Sequence, residues 1–263
     1  SFYGRKSSIV QSHFGQLAGF GQGIENKSVD EDILGVLCRI PWGHHLQILS
    51  KCKQIDEAFF YVTQTSNCNW SCSVLVHQIE SKLWQRKGKA ITNFEQTLPS
   101  IQSDLAREVI KDPYSFDFLG LTKEHKEREL ESGLMDNLTR FLLELGSGFS
   151  FVGRQYPIKV GDKEFAIDLL FYHLKLRCYV VIELKANEFI PEYASKLNFY
   201  LNVVDDMLKY KDDNPTIGIL ICKQRNELIT EYALRGISNP IGVSEYQFMS
   251  KLPEHLKNCF PTI

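Results

Sequence analysis

The apolar residues of this chain recur at helical spacing before Gly148 and alternate as in β-strands after it. Between residues 30 and 87, four segments carry their apolar residues at helical spacing, which predicts amphipathic helices. After Gly148, a two-residue alternation runs through three successive segments, "FSFVGRQYPIKV", "KEFAIDLLFYH" and "RCYVVIELK". The chain is therefore expected to combine an α-helical first part with an α/β second part.

The second part is expected to begin with one long helix over residues 123–149. Pro191 opens a later helix, and a strand, a helix and a closing strand follow it. The order α-β-β-β-α-β-α-β predicts a mixed sheet flanked by helices. We expect a helical N-terminal domain over residues 1–112 and a sheet domain over residues 113–263. Within the first of these, residues 1–30 are rich in Gly, Ser and Gln and are expected to form a poorly packed lead-in.

The composition narrows the class of protein. The chain has 263 residues, of which 43% are hydrophobic and 24% are charged, as in ordinary globular domains. No apolar run approaches the ~20 residues that cross a bilayer, so no membrane partner is expected. Seven cysteines without framework spacing suit a reducing compartment and predict a cytoplasmic protein. With a net charge of −2, the chain must hold any polyanion through a local patch or a bound metal.

Charged side chains interrupt the most strand-like part of the sequence. Asp168 lies in one apolar strand, Glu183 lies in the next, and Lys185 follows two positions later. If the two strands form a hairpin centred between Lys175 and Leu176, Asp168 lies directly opposite Glu183, with Cβ atoms ~4.5–5.5 Å apart. Residues two positions apart in a strand share a face, so Lys185 joins the same cluster. The sequence therefore predicts two carboxylates and an ammonium at one place on the sheet.

This cluster suggests metal-assisted chemistry on phosphate. Two neighbouring carboxylates repel each other unless a cation lies between them, and Mg²⁺ prefers one or two carboxylates plus phosphate oxygens. The backbone carbonyl of Leu184 is a further candidate ligand. Lys185 is then placed to orient water or to stabilise negative charge on a scissile phosphate. The alternative is a buried Asp–Lys–Glu ion network that only stabilises the hairpin.

The sequence around these residues resembles that of a known family. Asp168 followed by Glu183-Leu184-Lys185 resembles the PD-(D/E)XK nuclease motif, and the predicted α-β-β-β-α-β order matches the core of that superfamily. Longer segments, among them "LLELGSGFSFVGRQ", "IDLLFYH", "PEYASKLNFYL" and "NPIGVSEYQ", resemble the bacterial YhcG-like nucleases. Segments such as "IPWGHHLQIL" and "LPSIQSDLAREVIKDPYSFDFLGL" resemble the helical domain that precedes the nuclease core there. The resemblance extends over residues 36–248.

The resemblance implies a restriction-endonuclease-like α/β domain that cleaves nucleic acid, expected to be DNA, with Mg²⁺ or Mn²⁺. Asp168, Glu183 and Lys185 match the catalytic motif, and Lys196 matches a position where related nucleases carry a Gln or Lys facing the site. Glu144, in the helix before the first strand, matches the additional acid that many superfamily members use as a metal ligand. It is equally well explained as a solvated helix carboxylate.

Nucleic-acid contacts are expected from two further places. Gln155, in "GRQ" on the first strand, is a candidate substrate contact, although a buried hydrogen-bonding Gln is an equal alternative. The densest basic stretch, "KLWQRKGK", is either a phosphate-binding patch or a solvated charged face. Its cations are Lys82, Arg86, Lys87 and Lys89. We expect the helical domain to bind nucleic acid, a partner chain or a second copy of this chain.

Two alternatives to a DNA endonuclease stay open from the sequence. One is a non-catalytic module that binds nucleic acid or anchors a larger complex, with the acid cluster retained without turnover. The other is a nuclease directed to RNA. Cleavage assays on DNA and RNA separate these alternatives.

Overall fold

A computed structural model describes residues 35–121 and 125–248, which divide into two compact units, Ser1–Trp84 and Gln85–Ile263. The predicted lead-in, residues 1–30, lies outside the described residues, as does the start of the first predicted helix. Among the residues that are described, no helix is both long enough and apolar enough to cross a membrane.

The first unit is helical, as predicted. Asn69 has a left-handed backbone (φ 50°) that ends the second helix, and the hydroxyl of Ser71 caps the third helix by accepting from the backbone N–H of Val74. The buried side chains that hold this unit together are Ile40, Ile48, Tyr61, Val62, Leu75, Ile79 and Leu83. The helices are α1 (Trp42–Lys51), α2 (Ile55–Cys68), α3 (Cys72–Glu80) and the short α4 (Leu83–Arg86), which continues into the second unit.

The second unit is a mixed sheet with helices on both faces, which confirms the predicted α/β class. Its first elements are β1 (Ile91–Thr92), α5 (Phe94–Thr97), α6 (Ser100–Val109), β2 (Tyr114–Ser115), α7 (Glu127–Asp136) and α8 (Leu138–Leu145). They are followed by β3 (Phe149–Val160), β4 (Lys163–His173), β5 (Cys178–Glu188), α9 (Pro191–Met207), β6 (Ile217–Gln224), α10 (Glu227–Leu234) and β7 (Ile241–Gln247).

The long helix predicted before the first strand is interrupted in the structure. The sequence predicts a single helix over residues 123–149, whereas the structure has two helices, α7 and α8, separated at Asn137. The side chain of Asn137 donates to the carbonyl oxygen of Gly133, and its backbone leaves the helical region (φ −116°, ψ 34°). Asn competes for backbone hydrogen bonds in this way, which favours helix ends over helix interiors.

The sheet has the strand order β1-β7-β6-β5-β4-β3, and β2 pairs with the β7 strand outside this path. Strands β3, β4 and β5 are antiparallel, whereas β5, β6 and β7 are parallel. In the β4–β5 hairpin, Leu169 pairs with Ile182 and His173 pairs with Cys178. This is the register that was predicted from a hairpin centred between Lys175 and Leu176.

The alternating strand residues supply a core on each face of the sheet. Odd residues of β4 and even residues of β5, such as Leu169 and Ile182, pack with α6, α7 and α8. Leu170 and Val181 point the other way and pack against Leu197 on α9. Burial of this apolar surface on both faces is the main force that holds the strands in register.

Residues 85–112, which the prediction assigned to the N-terminal domain, belong to the second unit. The side-chain amide of Asn93 donates to the carbonyl oxygens of Ile237 and Asn239. Asp112 forms a buried ion pair with Arg225. The division at Trp84 and Gln85 therefore precedes the predicted boundary, because these long-range contacts tie the connecting segment to the sheet.

Candidate active site

Asp168 and Glu183 lie on neighbouring strands, and both side chains are buried. Oδ2 of Asp168 accepts a hydrogen bond of 3.1 Å from the backbone N–H of Leu184, which fixes the carboxylate against β5. Oε2 of Glu183 lies 3.2 Å from Nζ of Lys185, and Oδ2 of Asp168 lies 3.9 Å from the same atom. One cation is therefore shared by the two carboxylates, as the predicted register requires.

The ammonium of Lys185 has three partners at hydrogen-bonding distance. Its Nζ lies 2.5 Å from Oε1 of Glu127 on α7 and 2.9 Å from the carbonyl oxygen of Leu184. The third is Glu183, at the 3.2 Å already given. The contacts with Glu127 and Leu184 are hydrogen bonds and use two of the three donors of the ammonium, and the contact with Glu183 is an ion pair. The aromatic ring of Tyr193 lies 5.3 Å from the same nitrogen and covers it from the side of α9.

Charge and burial oppose each other in this cluster. Burial raises the pKa of Glu183, and the negative charge of Asp168 raises it further, against the opposing effects of Lys185 and Lys196. Burial alone would lower the pKa of Lys185, but the charge of Glu183 and the hydrogen bond to Glu127 outweigh it and raise that pKa. Lys185 is consequently held as a cation, in an environment that disfavours two adjacent carboxylate charges.

Lys196, one turn into α9, reaches the same carboxylate. Its Nζ lies 3.1 Å from Oε2 and 3.4 Å from Oε1 of Glu183. The lysine side chain is 44% exposed, so the ammonium connects a buried acid with the solvent. Its pKa is raised, because the charge of Glu183 outweighs the lowering effect of burial.

The donor set of this cluster fits a hard divalent metal. The carboxylates of Asp168 and Glu183 and the carbonyl oxygen of Leu184 all face the ammonium of Lys185. Each of these groups would offer a metal an oxygen ligand. Among the described residues, no three His, Cys, Asp or Glu side chains are grouped so as to hold a metal ion. Asp168, Glu183 and the Leu184 carbonyl would thus leave several coordination positions to water or phosphate, which is the usual situation for Mg²⁺.

Gln155 also reaches the cluster, from the edge strand β3. Its Nε2 donates to Oε2 of Glu131 at 2.9 Å and lies 3.4 Å from Oδ1 of Asp168. The strand is irregular near this point, and Gln155 has a left-handed backbone (φ 43°). Such a backbone costs on the order of 1–3 kcal/mol for a non-glycine residue. The strain directs the amide toward two acids instead of toward solvent.

Three further residues lie at this site that the sequence had not indicated: Glu127, Glu131 and Arg154. Glu127 and Glu131 are separated by four positions on α7, so they lie on one helix face. Arg154 precedes Gln155, and its Nε lies 2.5 Å from Oε1 of Glu131. The four-residue spacing of the two acids was visible in "ERELES". Which face of the helix meets the sheet was not, because that depends on the break at Asn137.

The carboxylate of Glu144, the predicted additional metal ligand, is engaged in an ion network with Arg86 and Lys111. Its side chain is buried at 1% exposure, with Oε1 lying 2.5 Å from Nη1 of Arg86 and accepting from the backbone N–H of Ser115 at 2.8 Å. Lys111 lies 3.9 Å from Oε2. Burial tends to raise the pKa of Glu144, but the charges of Lys111 and Arg86 outweigh it and lower that pKa. The carboxylate of Glu144 is therefore part of a buried ion network with Arg86 and Lys111.

The cations of the predicted basic stretch differ in their burial and partners. Arg86 is buried against Glu144, and Nζ of Lys87 lies 3.6 Å from Glu108. Lys82 and Lys89 are exposed but belong to different units. The alternation of roles along this stretch follows from the packing of residues 85–112 on the sheet.

Two family models match this chain. Residues 107–261 match the family model of the YhcG PDDEXK nuclease domain, and residues 16–86 match that of the DUF1016 N-terminal domain. Over 218 residues the chain is 34% identical to "Putative nuclease YhcG" of Escherichia coli (strain K12). That alignment covers 82% of this chain and 57% of the E. coli protein, so the chain spans little more than half of the length of this relative.

Two solved structures are similar to about half of the chain. A repair endonuclease from Pyrococcus abyssi is 17% identical, has a TM-score of 0.34 and matches over 49% of each chain. EndoMS in complex with double-stranded DNA is 18% identical, has a TM-score of 0.32 and matches over 53% of this chain and 49% of its own. With TM-scores this low, neither protein informs the function of this chain.

The nuclease-domain match covers more than half of the chain and includes Asp168, Glu183 and Lys185. These are the residues that the fold brings together on β4 and β5. The helical unit is matched separately by the second family model. The chain therefore belongs to the YhcG family of PDDEXK nuclease domains.

Proposed function

We propose that this protein is a metal-dependent endonuclease that hydrolyses phosphodiester bonds in DNA. The observation that carries the proposal is that Asp168 and Glu183, from two neighbouring strands, both lie within 4 Å of the ammonium of Lys185. Their placement matches the need of phosphodiester hydrolysis for a divalent cation beside the scissile phosphate. Membership of a nuclease-domain family supports the same reaction.

In this proposal, Asp168, Glu183 and the carbonyl oxygen of Leu184 would hold Mg²⁺ or Mn²⁺. The bound metal would lower the pKa of water and neutralise charge on the phosphate. The hydrogen bond from the Leu184 N–H holds the carboxylate of Asp168 in a fixed orientation, as a metal ligand would need. The bond from Gln155 to Asp168 steadies the other oxygen of the same carboxylate.

Lys185 and Lys196 have separate roles in this proposal. Lys185 is almost fully buried, and its raised pKa keeps it charged, so it can stabilise the extra negative charge of the transition state. With Glu183 engaged by a metal, the Lys185 ammonium would be able to donate to water or to a phosphate oxygen. Lys196 holds the carboxylate of Glu183 from the solvent side and orients it.

We assign contacts with nucleic acid or with another chain to the helical unit. Helix α1 buries His44 and Ile48 on one face and exposes Trp42, Leu46 and Leu49 on the opposite face. A helix that is apolar on both faces is usually covered on both faces. This exposed stripe supports an interaction role for the unit, with a partner chain or a second copy as candidates.

The test is a cleavage assay on matched substrates. Purified protein is incubated with supercoiled plasmid, linear duplex DNA, branched DNA and RNA of the same sequence, with Mg²⁺, with Mn²⁺ and with a chelator. We expect cleavage of at least one DNA form that requires metal and stops on chelation. Conversion of plasmid to the nicked or linear form would identify an endonuclease.

Two other outcomes assign a different function. Cleavage of RNA without cleavage of any DNA form would replace the DNA substrate with RNA. Binding of DNA without cleavage under any metal condition would identify a non-catalytic binding module. In that case the acid cluster would act as a structural ion network.

A further inference from the structure

Arg154 is a partly exposed cation held in a fixed orientation beside the metal-site candidates. Its Nε lies 2.5 Å from Oε1 of Glu131, and its Nη2 lies 3.1 Å from Oγ of Ser132. Both partners lie on α7, whereas Arg154 lies on β3. The arginine side chain is 38% exposed, and that of Glu131 is only 9% exposed. The nearly buried carboxylate of Glu131 thus holds the guanidinium of Arg154, which stays partly accessible to solvent.

The guanidinium has donors to spare. Arginine has five N–H donors, and the bonds to Glu131 and Ser132 use two of them. A planar guanidinium with several donors matches the paired oxygens of a phosphate. Because two contacts already fix the plane, little side-chain entropy remains to be lost when a phosphate binds.

The position of Arg154 relates it to the catalytic candidates. It pairs with Leu169 across the β3–β4 ladder, so it neighbours Asp168 on the adjacent strand. The carboxylate of Glu131 receives Arg154 on one oxygen and the amide of Gln155 on the other, and that amide continues to Asp168. One chain of hydrogen bonds therefore connects the guanidinium to the predicted metal ligand.

With a divalent metal bound, the net charge of the cluster would favour binding of an anion. Four carboxylates (Asp168, Glu183, Glu127 and Glu131) meet three cations (Lys185, Lys196 and Arg154), which leaves a charge of −1. A divalent metal would change the charge to +1. Under that condition a polyanion is attracted to the side where an exposed cation is already oriented.

We propose that Arg154, oriented by Glu131 and Ser132, binds a backbone phosphate of the nucleic acid next to the scissile one. This inference rests on the proposed function and adds a substrate-positioning residue to it. Glu131 acts in it as the residue that orients Arg154, with both of its oxygens engaged. The phosphate contact fixes the register of the substrate on β3 and β4, while carrying no sequence preference of its own.

The test measures binding without cleavage. All variants are made in an Asp168→Asn background, and the affinity for fluorescent duplex DNA is measured across a series of NaCl concentrations. Arg154→Ala is expected to weaken binding about tenfold and to reduce the slope of log K against log salt by about 0.9, the value for one lost phosphate contact. Arg154→Lys is expected to keep the slope and still weaken binding, because the charge remains and the planar fork is lost.

Lys175→Ala is the matched control. Lys175 is an exposed cation in the turn after β4, beyond His173, and the five strand positions from Asp168 to His173 span ~17 Å. Its removal changes the net charge equally, and we expect an unchanged slope. Glu131→Gln is expected to lose affinity only when Arg154 is present, which a purely structural role of the pair would not produce.

The inference is overturned if Arg154→Ala and Lys175→Ala have the same salt slope and affinity. Its failure is distinguishable from failure of the proposed function. Binding that depends on Arg154 in a protein that cuts nothing would keep the phosphate contact and remove the catalysis. Cleavage by wild type with no effect of Arg154 on binding would do the reverse.

Discussion

Replacing Asp168 by Asn is expected to reduce metal-dependent cleavage about 1,000-fold, comparable to the loss of a transition-state-stabilising group in other hydrolases. The change removes one of the two carboxylates that share a cation on β4 and β5. It keeps the shape of the side chain, and the amide oxygen of Asn can still accept the backbone N–H of Leu184. The free energy of unfolding is therefore expected to change by no more than about 1 kcal/mol.

Glu164→Gln provides the control for this variant, because Glu164 is an exposed acid on the same strand. It removes the same charge and should leave the cleavage rate unchanged. Initial rates are measured on plasmid with Mg²⁺ in excess, and folding is checked by thermal unfolding. If Asp168→Asn cut at the wild-type rate, the acids of this cluster would have no part in the chemistry.

Replacing Glu144 by Gln is expected to lower the free energy of unfolding by about 3–5 kcal/mol, the usual cost of breaking a buried ion pair on one side. The carboxylate is 1% exposed and lies against Arg86 and Lys111. Neutralising it removes a buried negative charge that faces two buried cations. Since all strands of the described residues lie in the second unit, the loss should be visible in the strand signal of circular dichroism during denaturant unfolding.

The pH dependence gives a second readout of the same network. The pKa of Glu144 is lowered in the folded state by Lys111 and Arg86 against the effect of burial, so the folded state binds fewer protons there. The stabilisation is present above the ordinary carboxyl pKa and is lost as the pH falls through the lowered value. Wild type should therefore lose more stability on acidification than Glu144→Gln does.

Glu108→Gln is the matched control for Glu144→Gln. Glu108 forms an ion pair of 3.6 Å with Lys87, but its side chain is 68% exposed. Exposed pairs contribute at most about 1 kcal/mol, so this change should have little effect. Equal and small effects of the two changes would contradict the assignment of Glu144 to a structural network.

The strand register of the site could be predicted because it depends on local features. The apolar alternation fixed which residues of β4 and β5 face each core, and the short turn at Lys175 and Leu176 set the pairing. Asp168 opposite Glu183 follows from these two facts alone. Lys196 was indicated only by the family resemblance, and in the structure it contacts Glu183 from the helix that starts at Pro191.

The remaining site residues depend on contacts between distant parts of the chain. Arg86 and Glu144 are 58 positions apart, and nothing in the sequence near either one indicates that they pair. Glu131 reaches the cluster through Gln155, which also contacts Asp168, whereas Glu144 pairs with Arg86. Tertiary packing decided which carboxylates reached the site, and local periodicity contains no information about it.

The most direct test of the central claim is a calorimetric titration of Mn²⁺ into wild type, Glu183→Gln and Glu164→Gln. The claim is that Asp168 and Glu183 together hold one divalent ion. We expect one site per chain in wild type and in Glu164→Gln, and affinity at least ~100-fold weaker in Glu183→Gln, since a ligand is lost outright. Equal Mn²⁺ affinity in wild type and Glu183→Gln would contradict the claim.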